Sequence, residues 1–353
     1  MDVVLDGRSF LNATRVADTG DFHRNKPHIT KIPLQPISKL APFSALISSI
    51  IFVIYFAIRM YLLEGYLLKR LYGDIYTKMS DVPRRGFVNH HIAGGTKLFI
   101  LIVAVYPFMD VAFGSANLNS PFAGSKYVKM GDILIIAAQA LISMYVFELF
   151  YRPKISPVSA GHHIGTIMIG QAAIAISLNL VRQKDATIEF ILCLVWGAFD
   201  IVAEFLPHVA IILYRVYPTR HNFLRRLFKI CACTTLTGTI LETIVTMWLF
   251  GTLWDRWTPV FKIVTPMLHI LFASCQLWGS YNFYKMYKWQ QRFLDMESRK
   301  SGDIEKSPNK PESERELKLD STSVTTIDVT PNSVTPNSGS EIKLTGPQAR
   351  PAS

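Results

Sequence analysis

The chain has 353 residues, of which 50% are apolar and only 18% are charged. Soluble domains carry about 25% charged residues, and several runs of about 20 apolar residues exclude a soluble enzyme. The 37 Lys and Arg outnumber the 26 Asp and Glu and give a net charge of +11. The basic residues cluster between apolar runs rather than along one polar face, which excludes a nucleic-acid binder. The composition therefore predicts a polytopic membrane protein.

Seven apolar segments follow a polar stretch, 1–40, that we expect to be flexible and lumenal. Each segment is close to the length of about 20 residues that crosses a bilayer core. The sequence therefore predicts an all-α membrane protein with about seven transmembrane helices. The segments are Phe43–Leu63, Leu98–Gly114, Ile133–Phe150, Pro157–Leu180, Ile188–Tyr214, Leu227–Trp254 and Val260–Tyr284.

The remaining stretches define the expected domain organisation. Residues 41–96 comprise the first transmembrane helix and a polar cytosolic stretch, and 69–97 is too charged to span a membrane, so a loop or an interfacial helix is expected there. Residues 97–290 are expected to form the main membrane domain. Residues 291–353 change to a Ser-, Thr- and Pro-rich composition that cannot bury enough apolar area to fold. We expect this part to be a disordered cytosolic tail.

The distribution of Lys and Arg predicts the orientation, because cytosolic loops carry an excess of both. The loops after the odd-numbered segments, with Lys97 counted among them, carry about twice as many basic residues as the other loops. We therefore expect a lumenal N-terminus and a cytosolic C-terminus. The sequon at Asn12 falls on the lumenal side and predicts glycosylation there.

Ionisable side chains inside the apolar segments are the main candidate site residues. A charge at the bilayer centre costs at least about 2.5 kcal/mol, so such residues usually have a partner or a function. In the fifth segment Asp200, Glu204 and His208 follow at i, i+4 and i+8, which places them on one helix face. Two acids and an imidazole on one face could position and activate a group that transfers protons. Alternatively, these side chains only form hydrogen bonds to neighbouring helices.

The fourth segment contains the pair His162 and His163. Adjacent side chains point about 100° apart on a helix, so both reach one site only if it lies between helices. Thr166 is one turn beyond His162 and is expected to hold its ring through a hydrogen bond. A second pair, His90 and His91, falls in the polar stretch, where we expect a solvated loop.

Depth along the helices indicates that these groups can meet. Counted at 1.5 Å per residue, His163 and His208 lie about 9 Å from the cytosolic ends of their segments. Asp200, Glu242 and His269 lie about 21 to 22 Å in by the same count. The sequence therefore predicts imidazoles in the cytosolic leaflet with acids deeper in the membrane, as parts of one site.

The order of these features resembles the TLC-domain family, the membrane domain of ceramide synthases and related lipid proteins. Tyr145–Glu148 ends one helix, and the short polar loop Arg152–Ser159 follows it. The motif His162–Thr166 resembles the family's His-His-x-x-Thr, and Asp200–Glu204 resembles the acidic motif of the next helix. The resemblance covers roughly residues 90–290.

The resemblance implies a TLC-type barrel of six helices with an extra N-terminal helix, located in the endoplasmic reticulum. Its cavity would hold a long acyl chain, and the family's synthases transfer that chain from acyl-CoA to a sphingoid amine. One of His162 and His163 would then be the general base or a transient acyl acceptor, and Asp200 would orient it or the amine. The candidate substrate-binding residues are Thr166, Glu204, His208, Glu242 and His269.

The resemblance also indicates the partners. Membrane lipids and long-chain acyl groups are expected to bind, and acyl-CoA is the expected co-substrate. No other cofactor, no metal and no nucleic acid is expected, and homo-oligomer formation is left open.

Three other classes of protein are alternatives. Gly197 stands where ceramide synthases carry a further acid, which favours a non-catalytic protein that binds lipid or maintains membrane composition. A seven-helix receptor shares only the helix number and topology, since its Asp/Glu-Arg-Tyr and Asn-Pro-x-x-Tyr motifs do not occur. A seven-helix zinc hydrolase needs three well-placed ligands, and no His-x-x-x-His spacing occurs on one helix.

Overall fold

A computed structural model describes residues 28–179 and 186–305, with side chains for all of these except 30 and 300–305. No β-strand occurs within these two ranges, so the prediction of an all-helical chain is confirmed. The sequon at Asn12 and the tail from residue 306 onwards lie outside the described residues.

Within the described ranges, seven long helices correspond to the seven apolar segments. Six of them, all but the fourth, are long and apolar enough to cross a membrane. The chain is therefore an integral membrane protein. Helix α4 has 20 residues, and its two histidines and Gln171 make it more polar. The helices are α1 Ala41–Tyr72, α2 Asp81–Ala112, α3 Met130–Tyr151, α4 Pro157–Ile176, α5 Ala186–Val216, α6 His221–Thr252 and α7 Pro259–Glu305.

The expectation of a loop or interfacial helix over 69–97 is wrong. Helix α1 continues to Tyr72 and α2 begins at Asp81, so only 73–80 separates them. Polar side chains further along α2 point into the protein, where Asn89 and Lys97 are both buried. Lys97 therefore does not belong among the loop residues that indicate orientation.

Each long helix packs against particular neighbours. Helix α2 lies against α3 and α5, and α4 lies between α3 and α5 with further contacts to α7. Helix α5 also packs against α6, and α6 and α7 run along each other. Helix α1 packs on α3, where the Tyr55 hydroxyl donates to the backbone oxygen of Ala140 at 3.0 Å.

Part of the polar N-terminal stretch packs against one end of the helices. Within 28–40, the side chains of Ile32 and Ile37 are buried. The Thr187 hydroxyl accepts from the backbone N–H of Gln35 at 3.1 Å and donates to its oxygen at 2.9 Å. The expectation of flexibility is therefore wrong for this part of the stretch, because its isoleucines have an apolar surface to cover.

Gly131, near the start of α3, allows the N-terminal stretch to approach closely. A Cβ atom at this position would lie 1.9 Å from the backbone oxygen of Ile37. We expect Gly131→Ala to lower the free energy of unfolding by about 1 to 3 kcal/mol, because backbone must move. Thermal unfolding in detergent measures this, with Gly95→Ala as control, since a Cβ there would meet nothing within 4 Å beyond the adjacent residues and nearby backbone of its own helix. Equal melting temperatures for the two variants would contradict the close approach.

Candidate intramembrane site

A fully buried lysine forms the centre of the site. The Nζ atom of Lys97 in α2 lies 2.7 Å from Glu204 Oε2 and 3.3 Å from Asp200 Oδ2, both in α5. It also donates to the backbone oxygen of Asp200 at 3.4 Å. The Tyr145 hydroxyl of α3 donates to the same Asp200 carboxylate. Buried charges persist when they are paired and hydrogen-bonded, so this cluster joins α2, α3 and α5.

The two adjacent histidines of α4 reach different carboxylates. His162 Nε2 lies 3.4 Å from Asp200 Oδ1, while His163 Nε2 lies 3.6 Å from Glu148 Oε2. The His163 ring stacks on Tyr145 with a centroid distance of 4.4 Å. The angle between neighbouring side chains on a helix thus gives the two imidazoles separate environments.

An apolar chamber with a volume of about 250 Å³ extends from His162 between α2, α3, α4 and α5. His162 and Asp200 lie at its polar end. Phe190 is ten residues before Asp200 on α5, so the chamber runs about 15 Å along the helices. Its apolar lining includes Ile100, Ala104, Leu134, Leu141, Phe190 and Leu194.

A second chamber with a volume of about 160 Å³ also borders His162, and we call it the polar chamber because more charged and polar side chains line it than line the first. His162 and Gln276 line both chambers and therefore stand between them. Arg152, in the loop between α3 and α4, donates to Glu148 Oε1 at 2.5 Å within the lining of this chamber. The polar lining includes His90, Glu148, Arg152, His163, Glu204 and His208.

Most of the residues that the sequence singles out line one of the chambers. Glu204 and His208 line the polar chamber, and Thr166 lines the apolar one. The expected bond from Thr166 to the His162 ring is wrong. The Thr166 hydroxyl donates instead to the backbone oxygen of His162 at 3.0 Å, the common bond of a threonine to the preceding turn of its helix.

Glu242 and His269 differ in their placement. Glu242 of α6 lines the apolar chamber and accepts from Gln276 Nε2 at 2.7 Å. His269 lines neither of the two described chambers. Its Nε2 lies 3.1 Å from Thr243 Oγ1, and its ring stacks on Trp196 at 6.2 Å.

Sequence reasoning missed His90 and Lys97. The expectation that His90 lies in a solvated loop is wrong, because its Nδ1 lies 2.9 Å from His208 Nδ1 at the polar chamber. His91 is also inside the protein, where it contacts the Tyr72 hydroxyl at 3.0 Å. His90 and Lys97 are seven residues apart, two helical turns, and this spacing was the signal that both share a helix face.

Among the described residues, His162, Asp200 and Glu204 form a group close enough to hold a metal ion, since their ligand atoms lie within 4.8 Å of one another. However, the Lys97 ammonium contacts both carboxylates at 2.7 and 3.3 Å. A cation therefore already balances these acids, and the donor set does not favour a further ion.

Together these features define an all-helical integral membrane protein with a charged site enclosed among its helices. No protein-family model, curated protein or solved structure matches the chain. The residues of the site therefore carry the functional proposal.

Proposed function

We propose that the protein is an intramembrane acyltransferase of the ceramide-synthase type, within the TLC-domain family, which transfers a long acyl chain from acyl-CoA to a sphingoid amine. The observation that carries the proposal is the position of His162 between a polar and an apolar chamber, 3.4 Å from the Asp200 carboxylate. Acyl-CoA has the same division into an apolar chain and a polar carrier. Its thioester would lie where the two chambers meet.

The contacts between helices support the family assignment. The order α2, α3, α4, α7, α6, α5 and back to α2 describes a closed ring of six helices, with α1 packed outside on α3. This is the arrangement that a TLC-type barrel with an extra N-terminal helix requires. Helix α4 would be the seventh crossing, and its polar histidines are buried rather than exposed to lipid.

The chemistry needs one base beside the thioester. His162 would take a proton from the amine as its nitrogen bonds to the acyl carbon. The carbon–sulfur bond then breaks, and the CoA sulfur leaves with the electron pair and receives the proton from His162. Asp200 would hold the imidazole and balance its positive charge, while Lys97 and Tyr145 fix the carboxylate.

The proposal includes the orientation that loop charges predict. Arg152 lies at the polar chamber and in a loop expected on the cytosolic side, from which acyl-CoA would arrive. The basic loops on that side would attract its phosphates. The N-terminus would then be lumenal, the C-terminus cytosolic, and the membrane that of the endoplasmic reticulum.

Product formation by the purified protein tests the proposal. In lipid nanodiscs with palmitoyl-CoA and sphinganine, we expect the amide and free CoA thiol in equal amounts. Empty nanodiscs provide the control. Absence of amide, or activity that is unchanged in both His162→Ala and His163→Ala, would contradict catalysis at this site.

A second candidate function is binding of lipid without turnover. It is favoured by Gly197, where the synthases carry a further acid, and by the two partners that already engage Asp200 Oδ2. This function predicts that a long-chain lipid copurifies with the protein and that acyl-CoA binds without release of CoA thiol. The same assay therefore separates the two candidates.

A further inference from the structure

Glu204 presents a carboxylate oxygen to the polar chamber. Its Oε2 atom accepts from Lys97 Nζ at 2.7 Å. Among the described residues no group donates to Oε1, and this atom is not shielded from solvent. The Glu204 side chain is 26% exposed and lines the polar chamber. One acceptor atom in this chamber is therefore available to a ligand.

The other carboxylates of the site are covered. The Asp200 side chain is 9% exposed, its Oδ1 atom is shielded, and the residue does not line the polar chamber. Glu148 lines that chamber, but its side chain is only 4% exposed and its Oε1 atom accepts from Arg152. Of these three acids, Glu204 is thus the one that a ligand in the polar chamber reaches most fully.

A free carboxylate oxygen indicates a ligand that donates hydrogen bonds. An ionised carboxylate can only accept, and a hydrogen bond between two charged groups is about twice as strong as one between neutral groups. A primary alkylamine stays protonated up to about pH 10, so it meets both conditions. A metal ion needs several ligands at once, and Lys97 already contacts both acids, whereas an ammonium group needs only Oε1.

The position of Glu204 places such an amine beside His162. One carboxylate oxygen of Glu204 and one ring nitrogen of His162 lie within 4.8 Å of each other. Both residues line the polar chamber. A nitrogen atom bonded to the Glu204 carboxylate is therefore adjacent to the proposed general base.

We propose that Glu204 recognises the amine substrate, because its Oε1 atom accepts from the ammonium group of a long-chain amine in the polar chamber. The inference rests on the proposed function, in which this amine is the acyl acceptor. The interaction selects an amine over an alcohol of the same chain length. The ammonium group then loses one proton to water before its nitrogen bonds to the acyl carbon, so the role of Glu204 is confined to binding.

Binding in the absence of acyl-CoA tests this selectivity. Octadecylamine and octadecanol, which differ only in the head group, compete with a fluorescent long-chain amine for the full-length protein in phosphatidylcholine nanodiscs. Binding to empty nanodiscs is subtracted. We expect octadecylamine to bind about tenfold more tightly, equivalent to about 1.4 kcal/mol. Equal affinity of the wild-type protein for the two compounds would overturn the inference, and this comparison holds even if a variant does not fold.

Two variants separate Glu204 from the ion cluster as a whole. Glu204→Gln keeps the size and an acceptor for Lys97 but removes the charge, so the preference for the amine should fall to about twofold or less. Asp200→Asn removes the other partner of Lys97, and it should keep a preference of about fivefold or more. Asp74→Asn is the control, because it removes an exposed acid that pairs with Lys78 and lines neither described chamber.

Steady-state kinetics give an independent readout. Glu204→Gln should raise KM for the amine about tenfold and retain most of kcat. An unchanged KM, a preference that Glu204→Gln retains, or equal losses of preference in Glu204→Gln and Asp200→Asn would overturn the inference. Missing amide formation contradicts the proposed function but leaves the binding preference measurable. Amide formation without a preference for the amine overturns only this inference.

Discussion

Replacing Lys97 with methionine is expected to lower the free energy of unfolding by about 3 to 5 kcal/mol. The change removes the ammonium that pairs with Asp200 and Glu204 and leaves two carboxylates buried without a cation. Unfolding in a denaturing detergent, followed by loss of helical circular dichroism, measures the effect. Lys78→Met is the matched control, because the exposed Lys78–Asp74 pair contributes only about 0 to 1 kcal/mol.

A triple variant separates charge from packing as the cause. Lys97→Met combined with Asp200→Asn and Glu204→Gln removes both the ammonium and the carboxylates. We expect it to recover most of the lost stability, because no unpaired charge is left inside the protein. A triple variant as unstable as Lys97→Met would show that the ion cluster is not the reason. Wild-type stability of Lys97→Met would contradict the cluster itself.

The second large effect concerns His162. We expect His162→Ala to lower kcat for acyl transfer by about a hundredfold or more, the usual contribution of a general base. His163→Ala should have a smaller effect, because the Asp200–His162 contact does not depend on it. His221 provides a histidine control, because it lines neither described chamber. Its Nδ1 lies 2.7 Å from Gln290 Oε1. Equal losses in His162→Ala and His221→Ala would contradict the assignment.

Asp200 and Glu204 provide a matched comparison for the role of the carboxylate. Both pair with Lys97, but only Asp200 lies beside His162. Asp200→Asn should therefore lower kcat at nearly unchanged KM for acyl-CoA, since an amide cannot balance the charge on the imidazole. Glu204→Gln should retain most of kcat. Equal losses of kcat would show that both acids act through Lys97 rather than through His162.

The positions of the long helices could be predicted from the sequence because burial in lipid requires long apolar runs. The spacing of Asp200 and Glu204 likewise predicts that both lie on one face of their helix. The structure agrees, because Lys97 contacts both residues. The length of an apolar run does not predict a membrane helix whose inner face is polar. The sequence therefore predicts a loop or an interfacial helix for the first half of α2, although Asn89 is buried there.

The partners of the site residues could not be predicted, because they come from distant parts of the chain. Lys97 and Glu204 are 107 residues apart in sequence, and Tyr145 and Asp200 are 55 apart. Average hydropathy does not distinguish a polar side chain that faces lipid from one that faces another helix. Gln276 carries no charge and belongs to no motif, so only the structure places it between the chambers.

Photo-crosslinking with a palmitoyl-CoA analogue that carries a diazirine at the chain end tests most directly whether the apolar chamber holds an acyl chain. We expect labelling at Leu134 and Phe190, which line the far end of the chamber and are each only 1% exposed. Excess palmitoyl-CoA should suppress this labelling. Labelling confined to outward-facing residues such as Ile240 and Leu241 of α6, and unaffected by the competitor, would show that the chamber does not hold the acyl chain.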